Sequence, residues 1–207
     1  MLTIDHVVYA VRDLDAAAAQ VLEEHGLASV PGGQHPQWGT ENRIIPLGGA
    51  QYLELLAVVD PTIAATTHLG RTLTALTAEG DHWFAMCLAT DELEEVAAHT
   101  HLDVVAGSRT LPDGGVVAWR GAGIDDPGRT PDLPFFISWD EQDHHPGAMP
   151  VEHPCGATGL AWVEVEGDAA RFTDWVQGAP LSVRFHAGEP GVRAVALRVP
   201  GGQLVWR

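Results

Sequence analysis

Ile4-Asp5-His6-Val7-Val8-Tyr9-Ala10-Val11 is answered further along the chain by Gln51-Tyr52-Leu53-Glu54-Leu55-Leu56-Ala57-Val58. Both runs have strand composition, and each sets one metal-competent side chain in otherwise apolar sequence. Side chains alternate along a strand, so His6 is expected to share a face with Ile4, Val8 and Ala10, and Glu54 with Tyr52 and Leu56. If the two strands lie in one sheet with these faces together, an imidazole and a carboxylate point into one cavity. Such a pair is half of a metal site, or a proton-transfer unit, or a buried histidine satisfied by its neighbour.

Composition narrows the possibilities. The 207 residues can form one substantial core or two small ones, and 45% hydrophobic with 19% charged residues describes a globular chain rather than a disordered one. No apolar run approaches the roughly 18 residues needed to cross a bilayer, and strand-like sequence starts at once with no secretory pattern, so a cytoplasmic protein without membrane association is expected. Cys87 and Cys155 have no CxxC partner and read as reduced thiols. The formal net charge is -17; all eleven basic residues are arginine and lysine is absent, which excludes Schiff-base chemistry at a lysine. Binding nucleic acid by phosphate neutralisation is not expected either. An acidic surface favours a cationic over an anionic ligand.

The order of elements repeats. Residues 3–11 read as a strand, and an alanine-rich helix follows from Leu14 to about Glu24, capped by Asp13 and ended by Gly26. Strands are expected at Ala28–Val30, Asn42–Leu47 and Tyr52–Val58, with Pro31-Gly32-Gly33 and Gly48-Gly49 as turns. Thr62 to Ala78 reads as one connecting helix. A second pass runs through Trp83–Ala89, a helix at Asp91–His99, and strands at Val104–Ser108, Val116–Trp119 and Pro134–Trp139, with a hairpin turn at Pro112-Asp113-Gly114-Gly115. A third pass begins at Gly159. The expected organisation is a first βαβββ module at 1–60, a connecting helix at 61–80, a second module at 81–140, a linker at 141–157 and a partial third module at 158–207, all one compact unit.

His-Val-Val-x-x-Val-x-Asp-Leu at 6–14, together with Tyr-Leu-Glu-Leu at 52–55, resembles the opening module of the vicinal oxygen chelate superfamily, which includes glyoxalase I, extradiol dioxygenases and bleomycin-resistance proteins. His35-Pro36-x-x-Gly39-Thr40-x-Asn42-Arg43, Leu133-Pro134-Phe135-Phe136-Ile137-Ser138-Trp139 and His153-Pro154-x-Gly156-Ala157 narrow the resemblance to its glyoxalase-like domain group. The resemblance implies an α+β fold of repeated βαβββ modules, curled as half-barrel sheets around a cavity. It also implies a small-molecule ligand and, in the enzymes, a divalent metal (Zn, Fe, Mn, Ni or Mg) held by the first and last strands of two modules. Module one supplies both positions, His6 and Glu54. Module two does not: Trp83 or Phe84 stands where a ligand belongs, with His82 just before, and the last strand has no carboxylate until Asp140.

For the site, His6 and Glu54 are the candidate catalytic residues, and His6, Glu54 and His82 the candidate metal ligands, with His35, His144, His145 or His153 as further donors. Tyr52, His35, Asn42, Arg43, Arg120, Phe136 and Trp139 are candidate substrate contacts, the arginines as clamps for a carboxylate or carbonyl oxygen; Arg109 is a similar candidate. Two functions follow. One is a metal-dependent lyase, isomerase or dioxygenase acting on vicinal oxygens; the other is a metal-free protein that sequesters a cationic compound. A homodimer formed through an exposed strand edge of the third module is a further expectation.

Overall fold

The computed structural model describes residues 1–111, 113–139 and 145–207. Elements follow one another as β1 (Thr3–Ala10), α1 (Leu14–His25), β2 (Val30–His35), β3 (Thr40–Pro46) and β4 (Tyr52–Val58), then α2 (Pro61–Ala64) and α3 (His68–Thr77). Next come β5 (His82–Ala89), α4 (Leu93–Thr100), β6 (Val104–Thr110), β7 (Val116–Ala122) and β8 (Phe135–Trp139). The chain ends with β9 (Leu160–Gly167), α5 (Ala169–Trp175), β10 (Val183–Ala187), β11 (Gly191–Val199) and β12 (Gly202–Trp206). The fold is therefore mixed α+β and dominated by sheet. Asp13 accepts from the amides of Asp15 and Ala16 at the start of α1, and Gly26 ends that helix in the left-handed conformation, as local capping rules require.

Strands β1 to β8 close into one barrel in the order β1-β4-β3-β2-β6-β7-β8-β5, so the two expected half-barrels are joined. One seam is the long antiparallel ladder of β1 on β5; the other, between β2 and β6, is a single residue pair, Gln34 with Thr110. The last four strands make a separate sheet, β10-β9-β11-β12. In the barrel β1 lies parallel to β4, whereas β9 lies parallel to β10 and antiparallel to β11. The C-terminal stretch is thus a full β-α-β-β-β string with its own strand order, not a truncated copy. Its free edges are β10 and β12.

Alternation sorts the side chains into two apolar clusters. Val7, Leu53, Leu55, Met86 and Leu88 face outward and are covered by α1, α4, α5 and the second sheet in one continuous core that reaches Trp206. Val8, Ala10, Leu56, Cys87, Phe135 and Ile137 face inward, where Leu69 and Leu73 of α3 join them. The connecting helix is two helices rather than one. Thr67 breaks it, its hydroxyl accepting from the Gly70 amide to start α3. No helix among the described residues is long and apolar enough to cross a membrane.

Two departures from regular alternation shape the barrel interior. Ile4 pairs with Leu88 and His6 with Cys87, so Asp5 is an extra residue on β1. This bulge turns Ile4 into the outer core, against expectation, and buries Asp5 beside His6. The second departure is in β2, where Pro31-Gly32-Gly33 is not a turn but part of the strand, with a register break between Pro31 and Gly33. A Cβ at Gly32 would collide with the Asn42 amide, and one at Gly33 with the Thr110 carbonyl. Glycine is needed there because β3 and β6 approach too closely for any side chain.

Candidate active site

Inside the barrel lies a cavity of about 50 Å³ lined by residues that include His6, His35, Asn42, Tyr52, Glu54 and Arg109. Trp38, Leu69, Ile124 and the paired Trp119 and Trp139 supply its apolar walls. That space takes several waters or one small organic molecule.

Asp5 organises one end. Its Oδ1 is 2.6 Å from His6 Nδ1, and its Oδ2 accepts from Trp139 Nε1 and His145 Nε2, each at 2.9 Å. Burial alone pushes the Asp5 carboxyl up, but the hydrogen bonds from His145 and His6, with their charge, outweigh it and hold it down at about 2. An ionised carboxylate only accepts, so the proton in the close contact sits on His6 Nδ1. His6 Nε2 is then the nitrogen left for chemistry. It faces Glu54 Oε2 at 3.5 Å. The His6 ring is clamped between Tyr52, stacked at 4.4 Å, and the edge of Phe135 at 5.5 Å.

Glu54 is oriented as firmly. Asn42 Nδ2 donates to Glu54 Oε1 at 2.6 Å, while Asn42 Oδ1 accepts from the Gly33 amide at 2.8 Å. The glycine pair therefore sets which way the Asn42 amide points, and Asn42 leaves Oε2 as the free oxygen of Glu54. His35 lies fully inside, its Nδ1 3.0 Å from Thr40 Oγ1. Burial lowers His35 to about 4, with Arg109 and His6 pushing the same way against Glu54, so it is neutral near pH 7. Burial also raises Tyr52 well above the usual phenol range and Cys87 well above the usual thiol range, with Asp5 and Glu54 adding to both.

The structure thus brings together His6, Glu54, Tyr52, His35, Asn42 and Trp139. Others lie elsewhere. His82 is exposed and pairs with Ala10, because β5 runs antiparallel to β1; Cys87, not Trp83, stands opposite His6. Four residues of strand, about 13 Å, separate His82 from the site. Arg43 points out of the barrel to Asp15 and Ser29, and Arg120 pairs with Glu94 on the surface. Phe136 borders the cavity, but its ring stacks on Trp175 on the core side, and Phe135 meets His6 instead. His153 is a structural pin, accepting from the Ala28 amide and donating to the Pro46 carbonyl. Pro112, Asp140 and His144 lie outside the described residues.

Asp5 and His145 are the members that residue-type reasoning undervalued. An acidic residue beside a histidine in an apolar strand was the signal for the first.

As to metal, donor atoms of Asp5, His6 and Cys87 lie within 4.8 Å of one another. That trio does not fit an ion: His6 Nδ1 and both Asp5 oxygens already hold hydrogen bonds, and the Cys87 thiol is held protonated. The His6 Nε2–Glu54 Oε2 spacing does suit two ligands of one ion, since donors about 2.1 Å from a tetrahedral centre stand about 3.4 Å apart.

The glyoxalase-like domain family matches residues 4–179. The chain belongs to that family, as the sequence resemblance implied. Among solved structures, a hypothetical protein from Staphylococcus aureus is similar over 100% of this chain and 99% of its own, at 16% identity and a TM-score of 0.73. A Streptomyces coelicolor methylmalonyl-CoA epimerase bound to 2-nitronate-propionyl-CoA is similar at 20% identity and a TM-score of 0.46, over 68% of this chain and 96% of its own. The methylmalonyl-CoA epimerase from Mycobacterium tuberculosis is similar at 19% identity and a TM-score of 0.44, over 66% and 86%. No curated protein sequence matches the chain.

Proposed function

We propose that this protein is an isomerase or lyase that moves a proton on and off a carbon next to a carbonyl group of a small molecule. The carrying observation is the buried line Asp5–His6–Glu54 at one end of a cavity walled largely by apolar side chains. Glu54 Oε2, held by Asn42, takes the proton from carbon. The electron pair passes to the carbonyl oxygen as an enolate, and return of a proton to carbon completes isomerisation. His6 Nε2, whose other nitrogen is fixed by Asp5, exchanges protons with Glu54 or with the enolate oxygen. The tryptophan walls exclude water, which would otherwise quench the enolate. The matching strand orders β1-β4-β3-β2 and β5-β8-β7-β6 support the modular reading of the barrel, with module one supplying this chemistry.

A second reading rests on the 3.5 Å gap between His6 Nε2 and Glu54 Oε2: these two residues would hold a divalent ion there, with water or substrate oxygens completing its shell. Such an ion supplies Lewis-acid polarisation of the carbonyl. Sequestration of a bulky cationic drug is disfavoured by the small cavity and by the guanidinium of Arg109 within it.

The test is deuterium exchange at carbons adjacent to carbonyl in a panel of small aldehydes, ketones and 2-oxo acids, followed by NMR. Glu54→Gln should slow exchange at least 100-fold. Exchange that is absent from the wild type, or indifferent to Glu54→Gln, rejects the proposal. Metal bound near one ion per chain, and lost in both His6→Ala and Glu54→Ala, would favour the second reading.

A further inference from the structure

Arg109 is a charged residue of the cavity that the proton-transfer chemistry does not use. It lies on β6, and in the barrel order β6 stands four strands from β1 in either direction, directly across from His6. Only 3% of the residue is exposed, and it lines the cavity. Among the described residues no hydrogen bond or ion pair reaches its side chain, and its Nε is wholly buried without a partner. The cavity carboxylate Glu54 is committed to Asn42 and His6, and Asp5, behind His6, to three donors of its own.

A guanidinium is costly to bury without a counter-charge, and a chain with -17 net charge and eleven arginines has ample means to pair one. Gly33 is its neighbour across the β2–β6 seam: the Arg109 Cβ lies 3.5 Å from where a Cβ on Gly33 would be, an ordinary van der Waals distance. An unpaired, fork-shaped cation inside a closed barrel is a receptor for a planar anion.

We propose that Arg109 anchors the carboxylate of the substrate, and that the substrate is a small carbonyl-containing monocarboxylic acid such as a 2-oxo acid. This rests on the proton-transfer reading of His6 and Glu54. The carboxylate sits on the Arg109 fork, the carbonyl lies between the tryptophan walls, and the acidic carbon is presented to Glu54 across the barrel. The small cavity limits the chain to a few carbons beyond the carboxylate. The site thus selects anions although the molecule as a whole is strongly acidic.

The full chain is tested by thermal shift and calorimetric titration against 2-oxo acids of two to five carbons and their methyl esters, with Arg109→Met and Glu54→Gln alongside. At least one 2-oxo acid should bind the wild type, and its ester should bind at least 30-fold more weakly. Arg109→Met should lose the acid by a similar factor, while its ligand-free melting temperature should rise by about 3 °C, because an unpaired buried charge is removed. Glu54→Gln should keep the preference for acid over ester. If proton exchange fails but that preference holds, the anchor stands and the catalytic reading falls. Three results overturn the anchor: no acid binding better than its ester, Arg109→Met binding the acid unchanged, or Arg109→Met melting lower or failing to fold. The last would make Arg109 a structural cation.

Discussion

His35 is a titratable group that the fold keeps uncharged. Among the described residues its one hydrogen bond is to Thr40, and no carboxylate forms an ion pair with its ring. Its pKa is lowered from 6.5 to about 4, so the unfolded chain binds its proton more readily than the folded one. The stabilisation is therefore complete above pH 6.5 and drains away as pH falls toward 4, by at most about 3 kcal/mol. Asp5, held at about 2, adds a separate loss only between about pH 4 and pH 2. Melting temperature measured from pH 7 to pH 4 should fall in the wild type and fall less in His35→Gln. Equal slopes would show that His35 is not the group responsible.

At the scale of elements, β2 shows what sequence patterning reveals and what it hides. Strand and helix positions followed from alternation, capping and turn residues, and most of the observed elements begin within a few residues of where those cues put them. Pro31-Gly32-Gly33 misled because glycine pairs mark turns far more often than they mark a strand with no room beside it. The reason for these glycines lies on β3 and β6, remote in sequence. His82 misled in the same way: the antiparallel run of β5 against β1 is a tertiary fact, and it carries that histidine to the wrong end of the barrel. Composition and motif did point to His6, Glu54, Asn42 and Tyr52, which the fold carries on three neighbouring strands, β1, β4 and β3. The β2 reading makes a prediction. Gly33→Ala should destabilise by about 1–3 kcal/mol, since its Cβ meets the Thr110 carbonyl at the one pair that closes the β2–β6 seam. Gly202→Ala, with open space around it on the edge strand β12, should change stability by less than about 0.5 kcal/mol in the same denaturant titration. Similar losses at both positions would mean that the close approach at Gly33 is not what requires glycine.

For the molecule as a whole, charge and site oppose each other. The exterior carries the excess of acidic residues, while the barrel interior holds a guanidinium that is unpaired among the described residues. An approaching carboxylate is repelled by the long-range field and attracted at short range by Arg109 within the cavity. Salt screens the first interaction far more than the second, because a Debye length of about 8–10 Å covers the exterior field but not a buried contact. Association of a 2-oxo acid should therefore quicken as ionic strength rises, by about threefold between low and physiological salt, while dissociation stays nearly constant. A cationic ligand would show the opposite trend. Stopped-flow measurement using tryptophan fluorescence is suitable, since Trp38, Trp119 and Trp139 line the cavity. An association rate that falls with salt would mean that the ligand meets a local basic entrance, and the acidic exterior would then have no part in selecting what enters.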